Sequence, residues 1–133
     1  MSDLFIAAVC ALIRKHDRVL SMRRSMAKDA APGIWEAMSG RIEHHESPLQ
    51  AVRREIEEET GLVVRLDPRP LSAHHSLRNC EPMIILYYQA EWVSGEVRMS
   101  DEHDAWEWLD AATFAERTPI QPLAQAVRQI LGR

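Results

Sequence analysis

The sequence is poor in cysteine: Cys10 and Cys80 are the two in 133 residues, and they form no CxxC pair. This excludes a disulfide scaffold, and we expect both residues to be reduced thiols in or near the core. The longest apolar run, residues 4–13, is too short to span a bilayer. It also lacks a basic leader and a small-residue cleavage site, so we expect a cytoplasmic protein without a membrane partner.

Basic charge is also scarce, with 16 Lys and Arg residues against 20 Asp and Glu residues and a formal net charge of -4. This balance argues against a nucleic acid polymer as partner, although local arginines can still bind a small anion. The pairs His44–His45 and His74–His75 lack helical spacing and companion cysteines, so zinc is not expected. The composition is otherwise that of one globular domain, residues 1–133.

The pattern of apolar residues predicts a mixed α/β or α+β domain. A continuous aliphatic run at residues 4–13 is typical of a strand buried on both faces. The predicted strands cover 4–13, 19–24, 34–40, 62–66, 71–77, 83–92 and 105–109. The predicted helices cover 48–60, 111–116 and 121–133, and a segment with Pro-Gly, 25–33, predicts a loop. Strands mixed with helices in this way form layered domains.

The helix predicted over residues 48–60 has clear signals at both ends. Ser47 is a capping residue, Pro48 suits the first helical position, and Gln50 stands where a capping-box partner reaches back. Gly61 suits the left-handed conformation that ends many helices. We therefore expect a helix of ordinary length between these residues.

Four glutamates crowd the second half of this helix. At about 100° per residue, Glu55, Glu58 and Glu59 lie within an arc of about 100°, and Glu57 points away from them. These three carboxylates border the apolar stripe of the helix, where partial burial favours recruitment of a cation such as Mg²⁺ or Mn²⁺. The alternative is a solvated acidic helix face.

The segment from Gly40 to Leu62 fits the pattern Gly-x5-Glu-x7-Arg-Glu-U-x-Glu-Glu-x-Gly-U, where U is a bulky aliphatic residue. Its fixed positions are Gly40, Glu46, Arg54, Glu55, Ile56, Glu58, Glu59, Gly61 and Leu62. This segment resembles a complete Nudix box, and so many fixed positions rarely agree by chance. The resemblance implies the Nudix fold, an α/β/α sandwich with a mixed sheet in which the box forms loop, helix and loop.

The resemblance also implies a reaction and a cofactor. Nudix hydrolases cleave a nucleoside diphosphate linked to another group, with water attacking phosphorus and Mg²⁺ or Mn²⁺ as cofactor. The residues that match the metal-binding carboxylates of the family are Glu55, Glu58 and Glu59, and the backbone carbonyl of Ser39 or Gly40 is a further candidate ligand.

The resemblance leaves the catalytic base open between two residues. Glu55 is the first candidate, and Glu102 is the second because some Nudix proteins use a glutamate from a later loop. Arg54 is expected to brace a carboxylate, and Glu46 is expected to have a structural or outer-shell role.

Substrate contacts are less specific. Arg23, Arg24 and Arg41 are candidates for binding phosphate because the guanidinium fork matches phosphate geometry. Trp35 is a candidate for stacking on a nucleobase, with packing in the core as the alternative.

Two departures from the usual box concern the substrate loop. Ser39 replaces the first of two common glycines, and His45 stands where many members have a glycine, so we expect positive φ at residue 45. Ser39 therefore belongs to the candidate substrate site. The resemblance leaves homodimer formation open.

Four readings of the function remain. The first is hydrolysis of a nucleoside tri- or diphosphate, including an oxidised one, and the second is hydrolysis of ADP-ribose or a nucleotide sugar. The third is a nucleotide-sensing Nudix domain without catalysis, and the intact box argues against it. The fourth is an isomerase resembling isopentenyl diphosphate isomerase, for which Cys80 would supply a cysteine.

Overall fold

The computed structural model describes residues 4–26 and 31–132. The strands are β1 (Ile6–Lys15), β2 (Arg18–Arg24), β3 (Trp35–Glu36), β4 (Met38–Arg41), β5 (Val63–Leu66), β6 (Ser72–Arg78), β7 (Glu81–Ser94) and β8 (His103–Leu109). The helices are α1 (Pro48–Thr60), α2 (Ala111–Arg117) and α3 (Gln121–Leu131). Of the predicted loop 25–33, residues 27–30 lie outside the described ranges. No helix within those ranges is long and apolar enough to cross a bilayer.

The strands form one mixed sheet whose centre is the apolar strand β1. Strand β1 pairs in parallel with β7, from Ile6 opposite Met83 to Arg14 opposite Glu91. The sheet order is β3-β2-β1-β7-β5, with β4 paired to β1, β6 to β7 and β8 to β2. The middle of β1 is buried on both faces, as its continuous apolar sequence predicts.

Helices cover both faces of this sheet, each over its own apolar cluster. On one face Val52 and Ile56 of α1 pack with β1, β2 and β7 residues. On the other face Phe114 of α2 and Leu123 and Val127 of α3 pack against the opposite sides of β1 and β7. This is a layered α+β arrangement with helices on either side of a mixed sheet, so the predicted fold class is confirmed.

Helix α1 begins and ends where its sequence signals predict. The Ser47 side chain accepts a hydrogen bond from the Gln50 backbone N–H at 3.1 Å, and Gln50 Oε1 accepts one from the Ser47 N–H at 2.8 Å. At the other end Gly61 has φ 69°, in the left-handed region. These caps satisfy backbone groups that the helix itself leaves without partners, and they hold α1 in register against the sheet.

Two sequence predictions need correction. The single strand predicted over 34–40 is two strands: Trp35 pairs with Arg23 of β2, whereas β4 pairs with β1. Cys80 is not in or near the core; it is exposed, because Asn79 and Cys80 form the tight turn between β6 and β7 and both have positive φ. Cys10 is buried as expected.

Candidate active site

The carboxyl group of Glu55 rests on the backbone of β4. Residue 55 lies on the face of α1 that packs on the sheet, and its side chain fills the space where Gly40 has no Cβ. Burial raises the pKa of Glu55, and the neighbouring Arg54 guanidinium opposes the shift. Gly40, the first residue of the box, thus provides the backbone surface against which the Glu55 carboxylate packs.

Arg54 connects the acidic residues of the box. Its guanidinium donates to Glu46 at 2.7 and 2.9 Å, to Glu55 Oε2 at 2.8 Å and to Glu58 Oε1 at 3.2 Å, and it also reaches the Arg41 carbonyl at 3.0 Å. The two bonds to Glu46 form a fork, and they lower the pKa of that carboxyl to about 2. The predicted bracing role of Arg54 matches this geometry.

Glu59 is buried beside Glu55 but has different partners. The Ser100 hydroxyl donates to Glu59 Oε1 at 2.8 Å, and His103 Nδ1 lies 3.5 Å from the same oxygen. The other ring nitrogen of His103 donates to Glu36 Oε2 at 2.9 Å. Burial alone lowers the pKa of His103, but its contacts with Glu36 and Glu59 outweigh burial and raise the pKa to about 9.

Sequence reasoning missed Ser100, His103 and Glu36. Ser100 and His103 are far from the box along the chain, and Glu36, four residues before it, is 67 positions from His103. The signal available was weak: a glutamate after Trp35 in the strand that leads to the box, and a lone histidine directly after the candidate base Glu102.

The remaining glutamates differ in exposure. The Glu58 side chain is 55% exposed and Glu57 is exposed on the far side of α1, as predicted from the helical angles. Glu102 is half-buried in the segment next to Glu59: its backbone N–H donates to Ser100 Oγ at 3.1 Å, and its carbonyl accepts from the Ser25 N–H at 2.9 Å. The backbone therefore brings the candidate base Glu102 beside the box. His45 has φ 68°, as expected.

A cavity of about 330 Å³ has in its wall Gly40, against which the Glu55 carboxyl packs, whereas Glu55, Glu58 and Glu59 do not line it. Its wall contains Arg24, Glu36, Ser39, Gly40, Arg41, His74 and Tyr87 among other residues. Ser39 and Arg41 therefore lie where a substrate could meet them, next to Glu55. A larger cleft of about 770 Å³, beside Lys15 and Trp92, contains none of the predicted site residues and lacks a carboxylate cluster of this kind.

Two predicted substrate residues do not line the cavity. Arg23 is paired with Asp104 at 2.7 Å on the exposed side of β2. The Arg117 guanidinium carbon lies 5.1 Å from the centroid of the Trp35 ring. The next residue, Glu36, lines the cavity, and neighbouring residues of a strand point to opposite faces. Arg24 does line the cavity, and its guanidinium faces Glu36 at 3.4 Å.

The NUDIX domain family model matches residues 3–130. The chain belongs to the Nudix family. The predicted resemblance is confirmed, and the match extends over nearly the whole sequence and not only over the box. The Nudix box of this protein contains the residues described above: Gly40, Arg54, Glu55, Glu58 and Glu59.

Several named proteins are similar to this Nudix chain. An octanoyltransferase of Myxococcus xanthus is 38% identical over 84% of this chain, but the chain spans only about a third (32%) of that protein. An isopentenyl-diphosphate Delta-isomerase of Klebsiella pneumoniae subsp. pneumoniae is 30% identical over 92% of the chain and 70% of that protein. An asymmetrical bis(5'-nucleosyl)-tetraphosphatase of Sus scrofa is 31% identical over 77% of the chain and 76% of that protein.

Solved structures agree on the fold. The MutT protein of Methanosarcina mazei Go1 superposes with a TM-score of 0.84 over 100% of this chain and 96% of that protein, at 22% identity. At this identity the superposition supports the architecture alone. The family and its phosphatase-type relatives identify a Nudix-type hydrolase that acts on phosphorus anhydrides.

Nudix proteins generally use divalent metals, and the donors present here fit such an ion. Carboxylate oxygens of Glu55, Glu58 and Glu59 are the hard ligands that Mg²⁺ and Mn²⁺ prefer, and the Glu55 carboxylate packs against Gly40, which lines the cavity. In the described part of the chain no three such side chains converge at ligand distance. Arg54 instead holds Glu55 and Glu58, so a cation would compete with this guanidinium.

Proposed function

We propose that this protein hydrolyses a phosphoanhydride bond of a nucleoside tri- or diphosphate, including an oxidised one, with Mg²⁺ or Mn²⁺ as cofactor. The observation that carries the proposal is the packing of the buried Glu55 carboxylate against Gly40, which lies in the wall of the 330 Å³ cavity together with Arg41. Buried carboxylates beside a cavity are suited to hold a cation against an anionic substrate.

Glu55, Glu58 and Glu59 would hold the divalent ion. When bound, the ion would offset substrate charge and acidify a water molecule. Glu55 is the first candidate to accept a proton, because its buried carboxylate packs against Gly40 in the cavity wall. Glu102 is the alternative base, since its segment adjoins Glu59.

The other site residues orient the substrate and the carboxylates. Arg54 fixes Glu55 and Glu46, and the exposed Arg41 guanidinium on the cavity wall is suited to bind phosphate oxygens. The cavity volume of about 330 Å³ is within the range for small-molecule sites, and its aromatic wall residue Tyr87 can pack beside a base.

The isomerase reading has one supporting observation, the 30% identity to an isopentenyl-diphosphate isomerase. Its cysteine requirement is poorly met here. Cys10 is buried, and Cys80 is exposed in the turn between β6 and β7; neither cysteine lines the cavity, although Asn79 of the same turn does. Hydrolysis is therefore the better supported reaction.

The test is product-resolved hydrolysis of nucleoside triphosphates, diphosphates, nucleotide sugars and dinucleoside polyphosphates, with isopentenyl diphosphate included. Each assay contains Mg²⁺ or Mn²⁺ and is repeated with Glu59→Gln and with the matched control Glu57→Gln. We expect one dominant cleavage that requires metal, persists in Glu57→Gln and is lost in Glu59→Gln. Nucleotide binding without cleavage would favour the sensor reading, and conversion of isopentenyl diphosphate would favour the isomerase reading.

Homodimer formation stays a prediction. Light scattering of the eluted protein across a concentration series would measure it. The substrate assay does not depend on the result.

A further inference from the structure

Two residues outside the Nudix box contact one oxygen of Glu59. Ser100 Oγ donates to Glu59 Oε1 at 2.8 Å, and His103 Nδ1 faces the same atom at 3.5 Å. Ser100 precedes β8 and His103 is its first residue, and the Glu59 side chain is only 9% exposed. A buried carboxylate oxygen thus has a hydroxyl and an imidazole directed at it from the sheet.

The His103 ring has little freedom to turn away. Its side chain is 1% exposed, and Nε2 is fixed by the 2.9 Å bond to Glu36 Oε2. Its backbone is also fixed, because residue 103 pairs with Arg24 of β2 in the sheet. The backbone pairing with β2 and the hydrogen bond to Glu36 of β3 therefore fix the position of the His103 ring.

The second nitrogen of the His103 ring, Nδ1, has no hydrogen-bond partner in the described part of the chain. His103 Nδ1 is buried and makes no hydrogen bond of normal geometry there, and Glu59 Oε1 lies 3.5 Å from it. Buried polar atoms without a good partner are uncommon in folded proteins and call for an explanation. Attraction between His103 Nδ1 and the Glu59 carboxylate is such an explanation.

We propose that Ser100 and His103 are positioning residues that hold Glu59 Oε1 and so preset the direction of this carboxylate toward a divalent cation. The inference rests on the proposed function, because that function makes Glu59 a metal ligand. Residues that orient metal ligands through hydrogen bonds commonly change metal affinity by about 10- to 100-fold when they are replaced. Neither residue needs to touch the metal or the substrate.

The role predicts a specific order of metal affinities. Ser100→Ala and His103→Gln should each weaken Mn²⁺ binding by about tenfold or more, because Ala has no hydroxyl and Gln extends its amide toward Glu36 instead of Glu59. His103→Asn should bind Mn²⁺ within about threefold of the unmodified protein, because the Asn amide can occupy the place of Nδ1. The double variant Ser100→Ala/His103→Gln should lose less than the product of the two single effects, since both residues act on one oxygen.

The experiment is titration of the full protein with Mn²⁺ alone, following the free ion by its paramagnetic resonance signal and the heat of binding by calorimetry. Ser94→Ala and His16→Asn are matched controls, because both replace exposed residues that belong neither to the Nudix box nor to the wall of the 330 Å³ cavity. Thermal unfolding in EDTA checks that each variant is folded, and Ser100→Ala keeps the test usable even where a change at the buried His103 destabilises the protein.

The outcomes separate this inference from the proposed function. Weakening in Ser100→Ala and His103→Gln, with His103→Asn close to the unmodified protein, supports the positioning role. Tight binding that Glu59→Gln abolishes but Ser100→Ala and His103→Gln leave unchanged overturns the positioning role and leaves the proposed function standing. Equal binding by the unmodified protein and Glu59→Gln overturns the assignment of Glu59 as ligand, and both proposals fall with it.

Discussion

The carboxyl carbon of Glu55 occupies the space that a side chain at Gly40 would need: a Cβ built on Gly40 would lie 2.1 Å from Glu55 Cδ. The backbone of Gly40 does not have the positive φ that favours glycine, so its conformation alone would accept alanine. The glycine is required by its neighbour and not by its own backbone.

We expect Gly40→Ala to lower kcat by about 100-fold while the protein stays folded, because the flexible Glu55 side chain can swing away and its carboxylate then leaves the site. The measurement is steady-state hydrolysis of the preferred substrate, with circular dichroism to check the fold. Gly132→Ala is the control: a Cβ there meets no atom within 4 Å, and the strain from its φ of 79° falls at the end of α3, outside the box and the cavity wall. Equal activity in Gly40→Ala and Gly132→Ala would contradict the role given to Glu55.

Glu46 should make the free energy of unfolding sensitive to acid. Its pKa is lowered to about 2 by Arg54, below the ordinary value of about 4.3, so its contribution is fully present above that ordinary value and is lost as the pH falls toward 2. We expect Glu46→Gln to flatten this part of the pH profile measured by urea unfolding. Glu57→Gln, an exposed change on the same helix, should leave the profile nearly unchanged.

Ser47→Ala should lower the free energy of unfolding by about 1 kcal/mol, because it removes the capping-box hydrogen bond to the Gln50 N–H. Urea unfolding at neutral pH measures the change, and Ser94→Ala is an exposed control outside the helices. A loss no greater than that of Ser94→Ala would mean that the cap contributes nothing to stability.

Cys80→Gly should stabilise the protein by about 0.5 kcal/mol. The residue has φ 68° in a turn where Asn-Gly is the preferred pair, and relief of the left-handed strain exceeds the added freedom of the unfolded chain. Cys80→Ala removes the thiol without relieving the backbone, so it should show no such gain. A lower melting temperature for Cys80→Gly than for Cys80→Ala would refute this explanation.

The parts of the fold that depend on neighbouring residues were predictable. Ser47, Gln50 and Gly61 set the ends of α1, and the box spacing placed Glu55, Glu58 and Glu59 on one side of it, because a helix converts sequence spacing directly into angle. The positive φ of His45 and the exposure of Glu57 are local features of the same kind.

The parts that depend on distant pairing were not predictable. The predicted strand 34–40 divides because its two ends pair with different strands, and no local signal records which partner each end finds. Contacts of Glu59 with Ser100 and His103 likewise require the β2–β8 pairing, which joins residues from opposite halves of the chain. The sequence also did not show that Trp35 and Arg23 lie outside the cavity wall, since the side that a strand residue faces depends on which surfaces its sheet buries.

The parallel pairing of β1 with β7 has a consequence for synthesis of the chain. Strand β1 is synthesised first, but the residues of β7 that pair with it extend to Glu91 and are synthesised much later. Until that part emerges from the ribosome, the most apolar segment of the nascent chain has no partner strand on that side and is open to aggregation. We therefore expect translation intermediates that end before β7 to engage chaperones, and release from them to coincide with the appearance of that strand.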